Sequence, residues 1–175
     1  MDSFLNTFLE ILKYSIPALI VFFTIYYILR KYLDQQYNLE VLKFKKEEMK
    51  NVLPLKLQAY ERLALFLERI SPEQLIYRLN GPQMTAKDLR TALIIAVQKE
   101  YEHNLTQQIY VSDNLWKIIA LAKDEILGLV GGIPADDGSS QDFSNLLLSA
   151  YGQLKLNPIM QAQSAIKKET ELILK

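Results

Sequence analysis

The chain has 175 residues, with 20 basic and 20 acidic side chains that cancel to a formal net charge of +0. That balance supplies no global positive field of the kind that draws nucleic acid. Cysteine is absent and His103 is the single histidine, which excludes disulfides, thiolate metal sites, cysteine nucleophiles, covalent haem and any scheme needing two imidazoles in one chain.

The N-terminal segment is amphipathic. Ser3, Asn6, Glu10, Lys13 and Pro17 share one helical face, while Phe4, Leu5, Phe8, Ile11 and Leu12 line the other. Two placements remain open for it: lying on the membrane surface, or packing its polar stripe on another subunit. Tyr14 to Leu29 then forms an uncharged apolar run between Lys13 and Arg30-Lys31, and reads as a membrane-spanning helix. A single basic residue precedes it, whereas Arg30, Lys31, Lys43, Lys45 and Lys46 follow it, so the body after the span is expected in the cytoplasm and the N-terminus outside. The flanks do not fit a cleaved signal peptide, since Asp2 and Glu10 come first and Ile28-Leu29-Arg30-Lys31 closes the run. Residues 92–97 are too short for a second span.

After the span the helical pattern continues to Pro54, which is expected to end or kink that helix or to open the next. Leu39, Leu42, Met49 and Leu53 fall on an imperfect heptad seam, interrupted by Lys46. The seam suits either a coiled coil between copies of the chain or a helix packed on its own body. Leu57, Tyr60, Leu63, Ala64, Phe66, Leu67 and Ile70 then make a stripe broad enough for a core.

The remaining elements are punctuated by local chemistry. Ser71-Pro72-Glu73-Gln74 caps a short helix reaching about Leu79 and closed by Asn80-Gly81-Pro82. Thr85-Ala86-Lys87-Asp88 opens the next helix, and Ser112-Asp113 caps the one after it, in which Leu115, Ile118, Ile119, Ala122, Ile126 and Leu129 repeat at helical spacing. Gly131-Gly132-Ile133-Pro134 is expected to stop that helix before a polar loop, followed by helices over about 143–151 and, capped by Asn157, about 158–174. No segment shows a period of two. The expected class is therefore all-α: an anchor over 1–30, a juxtamembrane helical stalk over 31–53, and an antiparallel helical bundle over 54–175 with a loop at about 131–141.

Candidate chemistry is sparse. Glu100 and His103 stand at Glu-x-x-His spacing, as in di-iron helical bundles, but such sites use the pair twice. Asp136, Asp137 and Asp142 near Gly138 do not fit a calcium loop and read as a hydrated loop with a helix-capping Asp. The usual phosphate-cradling and hydrolase motifs are missing. Glu100, His103, Asn104, Gln107 and Gln108 form a polar helical face rich in amides, suited to a hydrated surface, a buried network or a partner's backbone.

The stretches LQAYERLALFLERISPEQL (57–75) and EYEHNLTQQIYVSDNLW (100–116) resemble an uncharacterised family of small single-pass inner-membrane proteins of Gram-negative bacteria. That resemblance implies a bacterial inner-membrane location and a helical cytosolic body, and it carries no activity or cofactor. The expectation is a membrane-tethered interaction module, an accessory subunit or scaffold of an inner-membrane assembly, touching lipid and a protein partner and using no nucleic acid or cofactor. The alternatives are a structural homo-oligomer held by the juxtamembrane seam, and an enzyme or metal protein using Glu100 and His103.

Overall fold

The computed structural model describes residues 2–135 and 138–174, with side chains described for all of these except 2–5 and 48. Among the described residues the chain is all-helical: α1 (Asp2–Arg69), α2 (Pro72–Leu79), α3 (Ala86–Asn104), a 3-10 segment (Leu105–Tyr110), α4 (Asp113–Gly132), α5 (Ser140–Gly152) and α6 (Pro158–Ile173). It divides into two compact units, Met1–Val52 and Leu53–Lys175.

In the first unit α1 carries no charge on any side from Tyr14 to Leu29, and an 18-residue window of it reaches a mean hydropathy of 1.8 with none of its surface buried. That length and composition suffice to cross a membrane. Thr24, the aliphatic hydroxyl in the apolar run's second half, donates to the Ile20 carbonyl at 2.7 Å and so satisfies itself within the helix. Leu39, Leu42 and Met49 are 51, 61 and 58 % exposed.

The helix does not end at Pro54. Proline there removes one i to i−4 hydrogen bond, but a break would orphan up to four carbonyls and four amides, and Val52 and Leu53 offer no side chain to cap them.

In the second unit the caps are those the sequence announces. Ser71, Thr85, Ser112 and Asn157 each accept from a backbone amide three residues on. Thr85 completes a capping box, and its hydroxyl and its amide both donate to the Asp88 carboxylate, which holds that carboxyl below its ordinary value. The expected 131–141 loop is shorter than the sequence suggests. Gly131 and Gly132 still belong to α4, because glycine weakens a helix without forbidding it, whereas Pro134 restricts the residue before it. At the other end Ser139 caps α5 through the Asp142 amide, and its hydroxyl donates to the Asp142 carboxylate at 2.7 Å, so 140 and 141 are helical. Asp136 and Asp137 lie outside the described residues.

One core serves this unit. Leu63, Phe66 and Leu67 of α1 and Ile70 just after it join Leu75 of α2, Leu89, Leu93 and Val97 of α3, Ile119 and Ile126 of α4, Phe143 and Leu147 of α5, and Ile159 and Ala162 of α6. α4 packs on α6 and α3, and α3 packs on α5 and α2. The fully buried face of α4 is Leu115, Ile119, Ala122, Ile126 and Val130, so Ile118 and Leu129, expected there, sit half-buried at its edges. Lys123 is partly buried rather than fully solvated, its ammonium 4.6 Å from the centroid of the Tyr101 ring, which in turn stacks on Trp116.

Ile119→Ala is expected to cost about 2–5 kcal/mol, through lost transfer energy and the cavity left behind. Leu121→Ala, two positions along the same helix but 58 % exposed, should stay within about 0.5 kcal/mol. Urea titration of the full chain in detergent measures both, and equal losses would show that the inward face is wrongly assigned.

Candidate functional site

The amide-rich face read from the sequence does not survive as one surface. α-Helix gives way to the 3-10 segment at Leu105, where the Leu105 amide bonds the Glu102 carbonyl, and the changed period rotates everything after it. Gln107 faces inward at 7 % exposure, as does Asn104 at 5 %, which continues the buried stripe of Leu89, Leu93 and Val97 at the end of α3, while His103 and Gln108 face solvent. Asn104 donates to the Glu100 carbonyl at 2.8 Å and closes the last turn of α3; Gln107 donates to the Thr106 hydroxyl at 3.3 Å.

Glu100 is engaged from the other side. Its Oε1 lies 3.3 Å from Arg69 Nη1 and 3.5 Å from Arg78 Nη1. Arg78 also donates from Nη2 to the Arg69 carbonyl at 2.6 Å, satisfying an orphan carbonyl at the C-terminus of α1. The carboxylate thus holds the arginine that caps α1, and its primary work is to lock α1, α2 and α3 together. A small cleft of about 130 Å³ opens beside it, lined by Arg62, Arg69, Glu100 and His103.

A larger feature arises where sequence-distant elements meet. Glu169, on α6, is a three-way acceptor: the Tyr60 hydroxyl of α1 donates to Oε1 at 3.0 Å, the Ser112 amide donates to the same oxygen at 2.9 Å, and the Ser112 hydroxyl donates to Oε2. Ser112 Oγ simultaneously accepts the Leu115 amide, so the residue that caps α4 also ties α4 to α6. Burial pushes the Tyr60 hydroxyl well above its ordinary value of 10.0, and the hydrogen bond to Glu169 and that residue's negative charge push it the same way.

Beside this knot runs an open groove of about 1010 Å³, bordered by the 3-10 segment, α4 and α6. Leu115 forms its floor and Ile118, Ala165 and Ile173 its half-buried sides, while Ile109, Leu121 and Leu172 stand on the rim at 73, 58 and 74 % exposure. Lys56 and Lys168 also line it, and among the described residues neither has an ion-pair partner. The sequence carried a weak signal of this surface: Ile118 and Leu121 widen the apolar stripe of α4 beyond what one core face needs.

Two outcomes test these assignments. Asn104→Ala should cost about 1 kcal/mol, because it removes an inward-facing side chain and its hydrogen bond to the Glu100 carbonyl, while Gln108→Ala should stay within about 0.5 kcal/mol; the reverse order in a melting series would return Asn104 to the surface. For Tyr60, a folded value above the unfolded one means that its contribution is complete below pH 10.0 and is lost as pH rises from there through the higher folded value. Tyr60→Phe should therefore flatten the alkaline limb of the stability–pH curve, and superimposable limbs for the two proteins would refute the tie to Glu169.

The chain matches no curated protein and no solved structure. A family of unknown function, DUF7935, matches residues 6–173, through the apolar first unit and the whole helical body, and by that match the chain belongs to this family.

Proposed function

We propose that this protein is a membrane-tethered interaction module: the apolar turns of α1 cross the bilayer once, and the helices from Leu53 onward form a cytosolic bundle that recruits a partner protein. The observation that carries the tether is the apolar run itself. Phe22, Phe23, Ile25, Tyr27 and Leu29 are all more than half exposed, on every side of the helix, with no protein surface packed on them. A helix hydrophobic all round requires an apolar environment, and hydrocarbon is one that it fits in length. The basic flank, Arg30, Lys31, Lys43, Lys45 and Lys46, supports a cytoplasmic body. The resemblance of the 57–75 and 100–116 stretches supports a bacterial inner membrane as the location. The reading assigns no reaction to the chain: Glu100 is committed to Arg69 and Arg78.

A second reading, a homo-oligomer zipped along the seam of Leu39, Leu42, Met49 and Leu53, is favoured by the exposure of its first three members. Against it, Tyr37 and Phe44 are equally exposed off the seam, so the apolar surface there is not confined to one stripe.

The chain has no cysteine, which allows one clean experiment. The protein should stay in the carbonate-resistant membrane fraction, and an impermeant maleimide added outside should label Ser3→Cys and spare Ser139→Cys. Carbonate release, or outside labelling at 139, sinks the tether or its orientation. Efficient disulfide crosslinking of Leu42→Cys to a second copy would move the balance to the oligomer.

A further inference from the structure

Building on the reading of the chain as a tethered interaction module, we propose that the groove between α4 and α6 receives an acidic amphipathic helix of a partner protein. Shape gives the first argument. Small-molecule sites are concave pockets of roughly 300–1,000 Å³ that enclose most of their ligand. This groove is about 1010 Å³ and open, and its rim residues Ile109, Leu121 and Leu172 are more than half exposed. Helix-in-groove recognition places apolar side chains at i, i+3 or i+4 and i+7 into such a trough. The α6 wall itself repeats at that spacing, with Gln161, Ala165, Lys168 and Leu172 on one side of the helix.

Charge selects the occupant. Lys56 enters from α1 and Lys168 from α6, and the single acid lining the groove is Glu169, whose two oxygens already accept from Tyr60 and Ser112. Two cations against one carboxylate therefore leave the border of the apolar strip with a net positive charge, in a chain whose net charge is +0. A second copy docking the same face in a two-fold contact would bring the same lysines against a surface that already carries them. A helix with apolar anchors and carboxylates on its flanks meets both requirements. The lysine pairs at the rim add little affinity and instead set partner choice and encounter rate.

The test uses the full chain in its own membrane, with photoreactive benzoylphenylalanine replacing Leu121 or, separately, Leu172. The crosslinked peptide is then sequenced by mass spectrometry. The expected adduct is a peptide of a different protein with apolar residues at helical spacing and Asp or Glu beside them. Lys56→Glu combined with Lys168→Glu should cut adduct yield by about fivefold or more, and Lys56→Gln with Lys168→Gln should give a smaller loss. Protein level and far-UV circular dichroism should be unchanged in both. An adduct to another copy of this chain, an adduct of lipid mass, a peptide without acidic residues, a yield indifferent to charge reversal, or no adduct at either position overturns the proposal. Failure of the tether reading shows separately, as release by carbonate. A chain that stays in the membrane but gives none of the expected adduct sinks the groove assignment alone.

Discussion

The body of this protein depends on how one carboxylate is satisfied. Glu169 sits half-buried, where an ionised group without partners is costly, and the structure answers that cost with three donors from two other parts of the chain. Those bonds fix the angle at which α6 lies on α4, because Ser112 is both the cap of α4 and a donor to α6. Apolar burial of Ile159, Ala162 and Ile166 holds α6 to the core, but burial is non-directional and tolerates sliding. The carboxylate supplies the register. Lys56 and Lys168 line the same groove and outnumber this one carboxylate, so the group that orders the fold also belongs to the set of charges that gives the groove its electrostatic character.

α1 shows two hydrophobic patterns within one helix. From Tyr14 to Leu29 apolar residues occupy every side, whereas from Tyr60 to Ile70 they narrow to a stripe, with Glu61, Arg62, Glu68 and Arg69 on the exposed side. An all-round pattern calls for an apolar medium and a stripe calls for a protein core. The change occurs without a break, even at Pro54, because the chain offers no capping side chain there.

The parts of the fold legible from the sequence are those governed by local chemistry. Ser71, Thr85, Ser112 and Asn157 were readable as caps because a cap needs only a short polar side chain and an amide three residues on. Leu63, Phe66 and Ile119 were readable as core because helical periodicity alone sets their face. Ser139 follows the same rule with Asp142, but the polar residues around it disguised it as loop. The switch to 3-10 geometry at Leu105 was not legible, since no glycine or proline marks it; Asn104 faces inward because it continues the buried stripe of Leu89, Leu93 and Val97 in α3, and with Gln107 of the 3-10 segment also inward the face expected from Glu100 to Gln108 dissolves. The groove was hidden for a different reason. Lys56, Ile109, Leu121 and Leu172 come from four separate elements, and only tertiary packing brings them to one place.

The tie between Tyr60 and Glu169 closes a loop of 109 residues. Closing so long a loop carries an entropic cost that grows only slowly with its length, and it is met once, when α6 arrives. During synthesis, then, α1 to α5 are exposed before the helix that completes their core exists. The stripe from Tyr60 to Ile70 must wait with its apolar side uncovered while about a hundred further residues emerge, several seconds at ordinary elongation rates. Five short polar caps, each formed by residues only three apart, give the waiting chain something to hold. Helix boundaries can be set as each segment appears, and the long-range closure then only has to choose among helices that already know where they begin.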